Sequence, residues 1–187
     1  MTPSSLLPVL VRDATEEDMD AVCAIYGYYV TRSCASFEEV PPSVEEMRAR
    51  RRTVLERGLP YLVAEYDGDI MGFTYAGPFR HRSAYRFTVE DSIYVGPLVQ
   101  GRGVGRALLG ALIERCSALG YHQMIGVIGD SANMGSINLH RAMGFRQEGV
   151  LREVGWKFNR WVDVVIMHRP LSPMPDPAAD KSPEPGA

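Results

Sequence analysis

The segment Gln100-Gly101-Arg102-Gly103-Val104-Gly105-Arg106 constrains this chain more than any other. Glycines at alternate positions let backbone N–H groups turn toward one point without side chains in the way. A strand pattern precedes the segment and an amphipathic helix follows it. Val104, Ala107, Leu108, Ala111, Leu112 and Leu119 recur at helical spacing, and Gly120 closes the helix. The positive end of that helix adds to the converging N–H groups, and together they make a site for a pyrophosphate. A P-loop would need a Gly-Lys-Ser/Thr ending, which is absent. A dinucleotide fingerprint would need glycine where Arg106 stands. A Gln-x-x-Gly-x-Gly turn remains.

The rest of the chain sorts by period. Met19, Val22, Cys23, Tyr26, Tyr29 and Val30 mark a helix with Thr15 as its expected N-cap. A second helix is expected from Ser43, with Glu46 completing a capping box and Gly58 ending it. It carries Arg48, Arg50, Arg51, Arg52 and Arg57, which read either as a solvated face or as a phosphate or partner contact. Tyr61–Tyr66 and Ile70–Ala76 flank Asp67-Gly68, a hairpin signal. In the strand 87–95, Phe87, Val89, Ile93 and Val95 share one face, and Thr88, Glu90, Ser92 and Tyr94 the other. A buried strand over 122–128, a short helix over 136–143 stopped by Gly144, and strands over 145–151 and 161–168 complete the series. This order implies an α/β (α+β) domain, a mixed sheet with helices on both faces.

The length of 187 residues suits one domain, read as residues 11–171. Residues 1–10 read as a flexible lead-in. Residues 172–187 read as a flexible tail, because five prolines stand among few apolar groups. A net charge of -3 argues against a nucleic-acid partner. No apolar run is long enough to cross a bilayer, so no membrane partner is expected and the cytoplasm is the default location. Cys23, Cys34 and Cys116 lack CxxC spacing and read as free thiols. The four histidines show no paired metal spacing, so no metal is expected.

The glycine turn resembles the coenzyme A loop of the GNAT acetyltransferases. Around it stand Ile93-Tyr94-Val95, an Asn133 corner, and Leu139-His140-Arg141-Ala142-Met143-Gly144-Phe145 in the same order as in that family. The likeness is closer to the branch of phosphinothricin and methionine sulfoximine N-acetyltransferases. It rests on Tyr75-Ala76-Gly77-Pro78-Phe79-Arg80, Thr88-Val89-Glu90-Asp91-Ser92-Ile93-Tyr94-Val95 and Gly155-Trp156-Lys157-Phe158-Asn159-Arg160-Trp161-Val162-Asp163. It runs from about Val11 to Leu171. The resemblance implies a mostly antiparallel GNAT sheet, acetyl-CoA as co-substrate, a small amino-acid-like amine as acceptor, and a homodimer. Rival readings are acetylation of a protein N-terminus or a polyamine, and a non-catalytic acyl-CoA-binding module.

Roles follow from the same resemblance. Glu90 is implied as general base. On the residues alone it is equally a glutamate on a half-exposed strand. Ile93, Tyr94 and Val95 are implied along the pantetheine arm, and the N–H of Val95 or a neighbour at the oxyanion, with a β-bulge expected nearby. Gly101, Arg102, Gly103, Val104, Gly105 and Arg106 are implied at the pyrophosphate, and Ala142 near the cofactor. Asn133 is open between a cofactor contact and a plain helix cap. His140 stands where many family members place tyrosine, and is open between a proton donor to the leaving thiolate and a structural histidine. Arg80, His81 and Arg82, with Asp91 and Ser92, are implied at the substrate, against the alternative of a basic solvent loop. Phe37 is expected to cap the pocket.

Overall fold

The computed structural model describes residues 6–171. Seven strands form one sheet: β1 (Leu10–Asp13), β2 (Tyr61–Tyr66), β3 (Asp69–Pro78), β4 (Thr88–Val95), β5 (Gln123–Gly129), β6 (Arg146–Lys157) and β7 (Arg160–Pro170). Four helices accompany them: α1 (Met19–Arg32), α2 (Val44–Glu56), α3 (Val104–Ala118) and α4 (Met134–Ala142). The sheet order is β1-β2-β3-β4-β5-β7-β6. Every neighbouring pair is antiparallel except β4 with β5.

The alternation read in β4 decides which helices cover which face. Tyr61, Val63 and Phe73 on one face pack with Met19, Val22, Tyr26, Val30 and Met47 from α1 and α2. Leu62, Ala76 and Val89 on the other pack with Leu109, Leu112, Cys116 and Ile137 from α3 and α4. Each core side chain removed from water contributes on the order of 1.5–3 kcal/mol. Neighbouring residues of β4 therefore face different helix pairs.

Local signals were met unevenly. Ser43 accepts from the Glu46 N–H at 3.1 Å, as a cap should. The Glu46 carboxylate does not return to close the box and instead pairs with Arg50. Gly58 and Leu59 donate to Leu55 and Val54, a Schellman ending. Thr15 is not the cap of α1. That position belongs to Asp18, whose carboxylate receives Thr15 and bridges to Arg12. Three arginines of α2 are engaged by its neighbours, and Arg52 pairs with Glu45 of its own helix. Arg51 holds the Ala14 carbonyl and Glu16, Arg48 reaches Asp20, and Arg50 pairs with Glu38, so this face ties α2 to α1 and its loops. Strand β6 runs well past residue 151, because a register shift near Glu153 lets it turn and continue to the Phe158-Asn159 bend.

Cys23, Cys34 and Cys116 are free thiols. Of residues 1–10, the first five lie outside the described part. Leu7 donates to the Arg102 carbonyl at 3.0 Å, and Leu10 opens β1. The proline-rich segment 172–187 also lies outside the described residues. No helix among the described residues is long and apolar enough to cross a membrane.

Candidate active site

Strands β4 and β5 pair only from Thr88↔Gln123 to Asp91↔Gly126, and then part. β5 continues beside β7 to Gly129, while Ser92–Val95 stays with β3. The wedge between them opens a cleft of about 1180 Å³. The β3–β4 register runs from Gly72↔Val95 to Pro78↔Val89 without a shift, so β4 contains no bulge against β3. The expected bulge is replaced by the divergence of β5. Gly96 donates to Met71, and Phe79 donates to Thr88. By alternation, even-numbered residues of β4 turn their backbone groups to β3, and Ile93 and Val95 turn theirs into the wedge. The sheet thus presents an open, hydrogen-bonding edge inside the cleft.

At one end of that edge sits the glycine loop. Gly101 (φ +72°) and Gly103 (φ +88°) are left-handed, which directs the intervening N–H groups inward at little steric cost. Gly105 serves a different purpose: a β-carbon there would stand 3.0 Å from Leu139, so its hydrogen permits α3 and α4 to meet. Gly101, Gly103, Gly105 and Arg106 line the cleft beside the start of α3. Arg102 and Val104 are not on its wall, and Val104 is buried in the core with Ala64 and Leu108. Asn133 both caps α4, accepting from Ser136 at 3.3 Å, and lines the cleft. Ala142, expected near the cofactor, is exposed at the far end of α4 and off the wall.

Glu90 lies on the α1/α2 side of β4 and lines the cleft with Ser92, Ile93, Tyr94 and Val95. Burial, reinforced by the neighbouring Asp91 charge and opposed by Arg80, pushes its pKa up to about 7. Asp91, one residue on, also lines the cleft, as does His140, but its side chain turns to the opposite face of the sheet. Its Oδ2 stands 3.0 Å from His140 Nε2, with both side chains 2% exposed. His140 Nδ1 lies 2.8 Å from the Ser136 carbonyl oxygen. Burial opposes charge on the imidazole, but Asp91 and the Ser136 carbonyl outweigh it and raise the pKa above its usual value. Both ring nitrogens are thus engaged.

Arg80, His81 and Arg82 are exposed on the β3–β4 connection and do not reach the cleft wall. Arg80 lies over the Phe79 ring, its guanidinium carbon 5.0 Å from the centroid. Phe37 does line the cleft.

Several wall residues left no trace in sequence patterns. Tyr26 and Tyr29 read only as apolar positions of α1, yet both line the cleft. Tyr29 Oη donates to the Val95 carbonyl at 2.5 Å and receives Gln100 Nε2 at 3.0 Å, linking α1, β4 and the glycine loop. Ser36 and Glu38 meet Tyr26 Oη at 3.0 and 2.9 Å. A loop segment has no periodicity from which this could be read.

A parted β4/β5 pair with a glycine cradle at its mouth and an open strand edge within is the architecture of an acyl-coenzyme A enzyme. The chain belongs to the GNAT acetyltransferase family, whose model, described as Acetyltransferase (GNAT) family, matches residues 25–145. It is 54% identical over 162 residues to a phosphinothricin N-acetyltransferase of Alcaligenes faecalis, covering 87% of this chain and 82% of that protein. It is 39% identical over 164 residues to an L-methionine sulfoximine/L-methionine sulfone acetyltransferase of Pseudomonas aeruginosa, covering 87% and 95%. Its fold matches a phosphinothricin acetyltransferase from Sinorhizobium meliloti solved in complex with AcCoA. That match has a TM-score of 0.86 and 46% identity, over 89% of this chain and 90% of the other.

Proposed function

We propose that this acyltransferase moves the acetyl group of acetyl-CoA to the amino group of a small amino-acid-like substrate of the phosphinothricin, methionine sulfoximine or methionine sulfone type. The observation that carries the reading is Glu90, a carboxylate with a pKa of about 7 on the wall of the cleft, beside the open edge of β4. The relatives' names supply the substrate class.

The chain's residues divide the work. Gly101–Arg106 and the start of α3 receive the pyrophosphate. The Ile93 and Val95 edge pairs with the extended arm, and its N–H groups lie where an oxyanion would form. Glu90 takes a proton from the substrate ammonium, directly or through one water. The freed amine attacks the thioester carbonyl, a C–N bond forms, the C–S bond breaks, and the nitrogen gives up its second proton to solvent to become the amide. The thiolate leaves and takes a proton from solvent; a reference thiol pKa near 8.5 makes a dedicated acid unnecessary. His140, engaged at both nitrogens, is assigned a positioning role rather than a donor's. Arg80, His81 and Arg82 are proposed to reach the substrate carboxylate from the mouth, with Ser92 on the wall.

A cationic acceptor such as a polyamine would meet Glu38, Glu90 and Asp91 on the wall, but Arg50 pairs with the first, burial pushes the second toward neutrality and His140 pairs with the third. The protein is placed in the cytoplasm and as a homodimer. The exposed Leu151, Val154, Trp156, Phe158 and Trp161 of the β6–β7 hairpin support the dimer. Light scattering showing a monomer would refute it. The reaction itself is tested by thiol release across phosphinothricin, methionine sulfoximine, methionine sulfone, ordinary amino acids, spermidine and an alanine-starting peptide. Turnover of the first three is expected. Turnover of only the peptide or spermidine would overturn the substrate assignment.

A further inference from the structure

The cleft wall formed by residues 35–38 belongs to the α1–α2 connection, which has no regular structure of its own. Its position must come from side chains that hold it. On the inner side, Tyr26 reaches Ser36 and Glu38, and Arg50 pairs with Glu38. On the outer side stands Lys157, at the end of β6. Its ammonium donates to the Ser33 carbonyl at 2.8 Å and to the Ser36 carbonyl at 2.6 Å, and the residue is 2% exposed.

A buried ammonium costs several kcal/mol in lost hydration unless its surroundings supply strong acceptors. Here the acceptors are two carbonyls three residues apart on the same irregular segment. Among the described residues Lys157 makes no salt bridge, although Glu38 and Glu39 lie near enough for their charges to be felt. Its ring contact is Phe158, 5.0 Å from Nζ to the centroid. Nearby, Arg160 binds Cys34 Sγ at 3.3 Å and pairs with Asp130.

The backbone beneath is cut to fit. A β-carbon on Gly129 would overlap the Cys34 carbonyl oxygen, and one on Gly155 would overlap the Phe37 ring. The segment therefore lies directly on β5 and β6, and Lys157 pins it at both ends of the turn.

We infer that Lys157 is a positioning residue for amine selection: by holding Ser33 and Ser36 it fixes the Ser36–Phe37–Glu38 wall that faces the acceptor. The inference rests on the proposed acetyl transfer for its kinetic readout. It predicts a split between the two substrates, because the glycine loop that holds the pyrophosphate shares no contact with Lys157.

Lys157→Met keeps the apolar stem and removes the donors, and Lys157→Arg keeps a donor. In Lys157→Met the amine KM rises about tenfold or more, since small displacements near a reacting centre carry large penalties. The acetyl-CoA KM stays within about twofold and Lys157→Arg recovers part of the loss. A parallel measurement needs no turnover. Amide hydrogen exchange in Lys157→Met should quicken over residues 33–42 and stay unchanged over 101–106. Gly155→Ala, which displaces Phe37 while leaving the ammonium in place, should shift the amine KM in the same direction. Equal changes in both KM values, unchanged exchange, or exchange raised throughout the chain would overturn the inference. A wild-type enzyme silent on every amine would defeat the proposed reaction, and exchange alone would then decide the role of Lys157.

Discussion

Glu90 and Asp91 are adjacent carboxylates on one strand, and the structure treats them in opposite ways. Glu90 faces the α1/α2 side, borders the cleft, and is shifted toward neutrality by burial. Asp91 faces the α3/α4 side and is paired with His140, both side chains only 2% exposed. Residue type is nearly the same and the separation is one residue. What differs is the partner supplied by the opposing helix. The carboxyl proposed to exchange protons has no ion-pair partner among the described residues, and the one that ties two layers together has His140.

The contrast breaks most sharply at Glu90. Glu90→Gln should lower kcat/KM by about 10²–10⁴-fold while the fold persists, as removal of a general base does. Because burial raises its pKa, the native state disfavours the ionised carboxyl. The Gln variant should therefore gain melting temperature relative to wild type as pH rises from about 4.5 to about 7, keep that gain above, and match wild type in stronger acid.

On the other face the order reverses. His140→Phe strands a buried carboxylate, which costs about 3–5 kcal/mol in stability. Activity per folded molecule should fall far less than in Glu90→Gln. Thermal melts beside turnover would show this, and a larger activity loss at His140 would reinstate it as a proton donor.

A finer test uses pH. His140 is raised above its usual 6.5 by Asp91, so the pair's contribution is full below that value and fades as pH climbs through the raised one. The melting-temperature gap between wild type and Asp91→Asn should be widest at about pH 5–6.5 and narrow above. A gap independent of pH would contradict a charged pair.

The smallest expected effect lies at the mouth. Arg82→Ala should raise the amine KM about tenfold, the loss of one charge-assisted contact, with acetyl-CoA little affected. Equal effects on both would count against a substrate role for this exposed arginine.

What the sequence disclosed follows the same division. Period-two and helical patterns placed the strands, the helices and the two faces of β4, because burial itself imposes those periods. The glycine turn was legible because left-handed backbone leaves a compositional mark at Gly101 and Gly103. The parting of β4 from β5 was not legible, since it depends on where pairing stops and not on which residues stand there. A bulge was expected in its place. Nor could the His140–Asp91 pair be read, because the two residues are 49 positions apart and meet only when α4 packs under the sheet. The same holds for the wall at Ser36–Glu38 and for Lys157. Arg80–Arg82 are the opposite case: the family resemblance implies them at the substrate, while the fold leaves them exposed beside the cleft, so their role rests on the proposal alone.

The pH dependence of kcat/KM for the best amine, measured from about pH 5 to 9, tests the assignment of Glu90 most directly. The account predicts a rise with pH governed by one group near 7, the value to which burial moves Glu90, and its disappearance in Glu90→Gln. A limb that survives unchanged in the variant, or a profile flat through neutrality in the wild type, would show that another group takes the proton.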